Sequence, residues 1–200
     1  MKAGVIRVWT TDDPQLLHAH GRIIEAKSGI NVVSKCIPDQ PHGVYDDESE
    51  QEAIPKIVEL AKEMVENDNV SVITISCAAD PGLEKCKQAV PVPVIGAGST
   101  GARLAGMFYD KIGVIGITKE VPPSIQTILG ERILHYSVPE GVEKTTDLAR
   151  PDMKEAFLEE CRKMVDKGAD TILFACTGFS THSLKNYVQK HLDVLVVDLV

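Results

Sequence analysis

The sequence predicts an α/β protein made of two similar lobes, each a parallel sheet flanked by helices. Two observations carry that prediction. Short apolar runs alternate with longer amphipathic patterns along all 200 residues, as expected for strands buried on both faces beneath helices. One outline also occurs twice: "SVITISCAADPGLEKCKQAVPVPVIG" and "DTILFACTGFSTHSLKNYVQKHLDVLVVD" each run apolar strand, cysteine, small residues, amphipathic helix, apolar strand. Their cysteines, Cys77 and Cys176, stand 99 residues apart, about half the chain. The lobes are expected at 1–96 and 97–200, with the final strand free to cross back to the first lobe. No linker rich in Pro, Gly or Ser separates them, so close packing of the lobes is expected.

The elements follow in order. Strands are predicted near 3–9 ("AGVIRVW"), 30–37 ("INVVSKCI"), 70–76 ("VSVITIS") and 92–95 ("VPVI"). Four more fall near 111–117 ("KIGVIGI"), 132–138 ("RILHYSV"), 170–175 ("DTILFA") and 194–198 ("VLVVD"). Over 54–65, Ile54, Ile57, Val58, Ala61, Met64 and Val65 recur at helical spacing. Its start is open: Ser49 and Glu52 have the spacing of a capping box, which would leave Pro55 inside the helix. Over 152–167, Met153, Phe157, Cys161, Met164 and Val165 recur in the same way, and Gly168 supplies a stop.

Composition narrows the function. The formal net charge of -8 and an aromatic content of 4% argue against nucleic-acid backbones, base-stacking platforms and anionic membranes as partners. No apolar run approaches a membrane span, and "MKAGVIRVWTTDD" lacks the apolar core of a signal peptide, so a cytoplasmic location is expected. The five cysteines (Cys36, Cys77, Cys86, Cys161, Cys176) are odd in number and include no CxxC pair. They predict reduced thiols rather than a disulfide framework or a zinc site.

Cys77 and Cys176 each follow a strand where a helix is about to start. In α/β sheets ligands bind beyond such strand ends. A thiolate there is favoured by unpaired helix N–H groups, which lower a cysteine pKa. Small neighbours (Ser76, Ala78 and Ala79; Ala175, Thr177 and Gly178) leave room for a small-molecule substrate. Were two lobes to face each other across a cleft, one thiolate would remove a carbon-bound proton and the other thiol would supply one to the opposite face. That inverts a stereocentre by acid–base chemistry, with no metal and no cofactor. The competing reading is packing, because cysteine is among the most buried residue types. Cys86 and Cys161, on apolar helix faces, take that reading, and so does Cys36, followed by the bulkier Ile37-Pro38-Asp39.

These paired strand–cysteine units resemble the aspartate/glutamate racemase superfamily. "CAADPGL" (Cys77 to Leu83) resembles the first cysteine segment of the hydantoin racemase branch, and "ACTGFS" its second. "HGVYDDESEQEAIPKIVELAKE" and "PVPVIGAGSTGARLA" resemble the segments before and after the first cysteine. The resemblance implies lobes related by a pseudo-two-fold axis with the active site in the cleft between them. It implies cofactor-independent racemisation of a hydantoin or amino-acid derivative, with Cys77 and Cys176 as the acid/base pair, and a homo-oligomer. It also implies that Ala78, Ala79, Thr177 and Gly178 cradle substrate carbonyls, that Thr118 lies near the cleft, and that Thr10 supplies a hydroxyl. "WTTDDP" (Trp9 to Pro14) departs from the Asn-Pro-Asn-like turn of that branch. The glutamate racemase hallmarks are absent as intact motifs. The resemblance implies a helix after the last strand, and the sequence stops at "VVDLV", so that helix is either absent or lost from a shortened chain. An aspartate/glutamate racemase or maleate-type isomerase is the alternative within the superfamily.

A third alternative is a nucleotide- or metabolite-binding module whose cysteines merely pack. "GAGSTG" (Gly96 to Gly101) satisfies the dinucleotide fingerprint between a strand and a helix, with Glu120 as its acid. Against it stand its late place in the chain and the lack of residues for a separate substrate domain. The competing reading of the glycines is a tight strand-to-helix turn. His182, six residues past Cys176, is read as a solvated helix face rather than a Cys–His partner, about two turns into the helix. His18, His20 and His191 form no metal-like cluster. "DDESEQE" (Asp46 to Glu52) is read as a solvated loop and helix start.

Overall fold

The computed structural model describes residues 1–200 and contains all eight strands that the apolar runs predict. The chain divides into two compact units, Met1–Ala97 with Val200, and Gly98–Leu199. The first unit runs β1 (Lys2–Arg7), α1 (Pro14–Ser28), β2 (Asn31–Cys36), α2 (Asp47–Asp68), β3 (Val72–Ser76), α3 (Leu83–Ala89) and β4 (Val94–Gly96). Its strands are all parallel, in the order β2-β1-β3-β4. On one face Ile6, Ile73 and Ile75 meet Ile57, Ala61 and Met64 of α2 and Cys86 of α3, all fully buried. Gly4 leaves room for Met64, whose Cε would stand 3.0 Å from a Cβ there. On α1, His20 is fully buried and its Nδ1 lies 2.7 Å from the Ser76 hydroxyl.

Local chemistry sets the helix ends. Asp13 caps α1 by accepting from the Gln15 amide at 2.7 Å, Pro14 opens the helix, and Gly29 closes it at φ +69. The cap of α2 is a correction to the Ser49–Glu52 expectation. Asp46 accepts from the Ser49 amide at 2.8 Å, and the Ser49 hydroxyl takes the Asp46 amide at 3.1 Å. The box therefore starts three residues earlier, and the acidic run forms the helix's first turns. Pro55 does lie inside the helix, on its exposed side. It removes one N–H, but the buried stripe from Ala53 to Met64 holds the helix through tertiary packing.

Helix α4 (Ala97–Phe108) leads into the second unit. There follow β5 (Ile112–Ile115), α5 (Pro123–Leu129), β6 (Ile133–Ser137), α6 (Met153–Asp166), β7 (Thr171–Phe174), α7 (Gly178–Thr181), α8 (Leu184–His191) and β8 (Leu195–Val197). The strand order, β6-β5-β7-β8, repeats that of the first unit, again all parallel. Its core holds Ile115, Ile172, Phe157, Phe174, Phe179, Cys161 and Met164, all fully buried. Gly168, at φ +92, ends α6 as expected.

Two expectations change. The final strand does not cross back: β8 pairs with β7 in register Thr171 to Leu195, and Thr171 Oγ1 donates to the Leu195 carbonyl at 2.8 Å. Val196 joins the second unit's core, so only Val200 groups with the first. The helix expected after Cys176 is two helices. Helix α7 is a single turn, Ser183 breaks the path at φ +55, and α8 follows. No helix is long and apolar enough to cross a membrane.

Candidate active site

The strand order fixes where a ligand site can form in each sheet. In the first unit the chain steps from β1 outward to β2, then returns past β1 to β3. The carboxyl ends of β1 and β3 are therefore a topological switch point, the place where open α/β sheets bind ligands. The loop from β1 carries Thr10, and the loop from β3 begins at Cys77. The second unit repeats this, with Thr118 after β5 and Cys176 after β7. Each sheet thus brings one candidate threonine and one candidate thiol to neighbouring strand ends.

Cys77 is 8% exposed and its amide donates to the Ile75 carbonyl at 3.0 Å. The next residues form a tight turn. The Asp80 amide returns to the Cys77 carbonyl at 3.3 Å, and the Leu83 amide to the Asp80 carbonyl at 3.2 Å. Asp80 and Gly82 adopt positive φ, +54 and +69, which aspartate tolerates and glycine prefers. Ala78 is buried and Ala79 half-buried within this turn. Helix α3 starts only at Leu83, so Cys77 does not sit directly at a helix N-terminus, contrary to expectation. The field of a helix fades within about a turn.

Asp80 is a residue that the sequence reading passed over. It is buried, and its carboxylate packs on the α-carbon of Gly96 at the end of β4. A Cβ at Gly96 would meet all three carboxylate atoms, with Oδ1 at 2.7 Å. The same contact explains the first glycine of "GAGSTG". Gly101, in turn, lies inside α4, where the Leu199 side chain occupies the space of a Cβ. That run follows an edge strand rather than a switch point, and packing accounts for Gly96 and Gly101.

Cys176 is 7% exposed and closer to a helix start than Cys77. Thr177 is the N-cap residue of α7, and the Phe179 amide donates to the Cys176 carbonyl at 3.3 Å. A Cβ on Gly178 would stand 3.3 Å from Cys176 Sγ and 2.8 Å from Leu148 Cδ1, so a side chain there would displace Leu148 and crowd the sulfur. The Ala175 amide donates to the Ile115 carbonyl at 2.7 Å, fixing the strand end before the thiol.

The two threonines are committed to their own loops. Thr10 Oγ1 donates to the Ile37 carbonyl at 2.6 Å and accepts from the Gln40 amide at 2.7 Å. Thr118 Oγ1 donates to the Glu120 carbonyl at 2.7 Å. Each hydroxyl proton is therefore spent within the protein, and a ligand would find lone pairs there rather than donors.

Two of the remaining cysteines are held protonated by burial. Burial pushes the Cys86 thiol up to about 11, and burial with the nearby Glu160 charge pushes Cys161 up to about 12. Cys36 Sγ points at the Thr11 carbonyl, 3.7 Å away. His182 sits at the break between α7 and α8 rather than two turns into a helix, half-buried. Burial, then the Lys154 charge, lower its pKa. No group of three His, Cys, Asp or Glu side chains comes together to hold a metal ion.

Known proteins share this arrangement of elements. The chain is 25% identical over 189 residues to the hydantoin racemase of Pseudomonas sp. (strain NS671), covering 90% of this chain and 73% of that one. The allantoin racemase of Klebsiella pneumoniae superposes with a TM-score of 0.82 at 19% identity, covering all of this chain and 82% of that one. The allantoin racemase of Pseudomonas fluorescens does so with a TM-score of 0.78 at 18% identity, covering all of this chain and 86% of that one. Residues 17–200 match the Asp/Glu/Hydantoin racemase family, and with that match over most of its length the chain belongs to this family of isomerases.

Proposed function

We propose that the protein racemises a carbon acid of the hydantoin or amino-acid-derivative class through Cys77 and Cys176, without a cofactor. The observation that carries the reading is the repeated placement of a thiol at the switch point of two sheets with the same strand order. One thiolate takes the proton from the stereogenic carbon, whose electron pair delocalises into an adjacent carbonyl. The other thiol returns a proton to the opposite face, and the two sulfurs end with exchanged protonation states. The reverse reaction uses the same groups in exchanged roles. The hydantoin and allantoin racemase relatives favour a cyclic or ureido-type substrate over a free acidic amino acid.

The test is a panel of single enantiomers in D₂O: 5-substituted hydantoins, allantoin, aspartate and glutamate, with maleate as the isomerase probe. Polarimetry reads inversion and NMR reads deuterium at the stereocentre. Loss of rotation with matching deuterium uptake is expected for a hydantoin or allantoin. Turnover of maleate or glutamate alone would move the chain to the other branch, and no turnover of any member would reject the reading.

Gly96→Ala is expected to lower turnover roughly 10²-fold, the cost of misplacing reacting groups by about an ångström. The new methyl takes the Asp80 carboxylate position, so the carboxylate must shift, and the turn from Cys77 to Gly82 that carries it is expected to move with it. Steady-state kinetics beside a thermal melt check this. Wild-type turnover in a folded variant would show that Asp80 does not hold the Cys77 turn.

A further inference from the structure

In the first unit the loop after β1 is fastened to the loop after its edge neighbour β2, through Thr10 to Ile37 and Gln40. The second unit has no such threonine bond at the equivalent place. Thr118 gives its proton to Glu120 in its own loop. Its fastening comes instead from Tyr136 on the edge strand β6. In register, Val114 faces Tyr136 and Ile115 faces Ser137, and the Gly116 amide donates to the Ser137 carbonyl at 3.0 Å. The Tyr136 ring lies over Gly116. A Cβ there would meet the phenol oxygen, and Cε2 and Cζ stand at 3.1 Å. Beyond that glycine the hydroxyl donates to the Thr118 carbonyl at 2.7 Å, with Thr118 Oγ1 at 3.3 Å.

We infer that Tyr136 is a positioning residue of the Cys176 half-site, holding the Thr118 loop beside the thiol by reaching across a glycine that leaves it room. The inference rests on the proposed racemase reading for its kinetic consequence. Tyr136, Gly116 and Cys176 belong to the ends of β6, β5 and β7, three strands side by side. Tyr136 and Cys176 also sense each other. Burial raises the phenol pKa first, bonding to Thr118 opposes this, and the negative charge of Cys176 raises it further. A neutral phenol therefore sits beside the thiol at working pH, able to donate to the loop without repelling a thiolate.

Tyr136→Phe keeps the ring and removes only the hydroxyl. It is expected to raise KM about fivefold, one neutral hydrogen bond's worth, with a smaller change in kcat. Amide hydrogen exchange over 116–120 should quicken while the first unit's rates stay the same. Gly116→Ala should harm the site, and adding Tyr136→Phe to it should restore part of the loss, because the phenol oxygen that the methyl strikes is gone. Additive losses in the double variant would overturn the inference. So would unaltered exchange over 116–120 in Tyr136→Phe, whatever reaction the chain performs, because that measurement needs no substrate. The reaction itself is tested apart from Tyr136 by the substrate panel.

Discussion

Replacing either Cys77 or Cys176 by serine is expected to lower racemisation by roughly 10²–10⁴-fold, the usual worth of one positioned acid or base. Serine nearly matches cysteine in size, so the turn at Cys77 and the contact of Cys176 with Gly178 should survive. The hydroxyl is a far weaker acid than a thiol and cannot pass a proton at neutral pH without a further base. The two variants should not behave alike. Each keeps one working sulfur, which can remove a proton from one face of the substrate carbon and return deuterium to the same face. One variant should then exchange hydrogen in one enantiomer without inverting it, and the other variant should do so with the mirror image. Chiral chromatography with mass spectrometry after incubation in D₂O reads both outcomes. Full racemisation by either variant, or exchange of the same enantiomer by both, would sink the two-base scheme.

Much of this was written in local pattern. Parallel strands buried on both faces leave continuous apolar runs, which is why all eight strands were legible and why the two cysteines stood out at strand ends. What escaped depends on contacts between residues far apart in the chain. The role of Asp80 is set by Gly96, and that of Tyr136 by Gly116 and Thr118. Neither carries periodicity, and only the fold makes them neighbours. The start of α2 escaped for a different reason. A proline inside a helix is costly in isolation, about 3 kcal/mol, and the sequence alone does not show that packing outweighs it. The split into α7 and α8 turns on one left-handed serine, Ser183, a conformation that sequence scarcely announces.

The second large effect concerns stability beneath the Cys176 segment. Phe157 of α6 is fully buried, with its ring 5.0 Å from Phe174 and 4.7 Å from Phe179 in edge-on contact. Phe174 and Phe179 close the triangle at 5.5 Å, and they flank Cys176 two residues before and three after. Phe157→Ala removes the third ring from a filled core and is expected to cost about 3–5 kcal/mol. Against a typical stability of about 5–15 kcal/mol, that loss takes about a fifth of the whole at the least and all of it at the most. Phe157→Leu should recover much of it, because it refills volume and forfeits only the ring contacts, about 0.5–1.5 kcal/mol each. Urea unfolding followed by circular dichroism measures the difference. The chain has two units, so the variant should either shift the whole transition or split off an earlier one belonging to Gly98–Leu199. Activity should fall in step with the fraction of that unit folded. A loss under about 1 kcal/mol in Phe157→Ala, far below the range for a filled core site, would mean that the three rings do not hold the Cys176 segment, and its geometry would need another source.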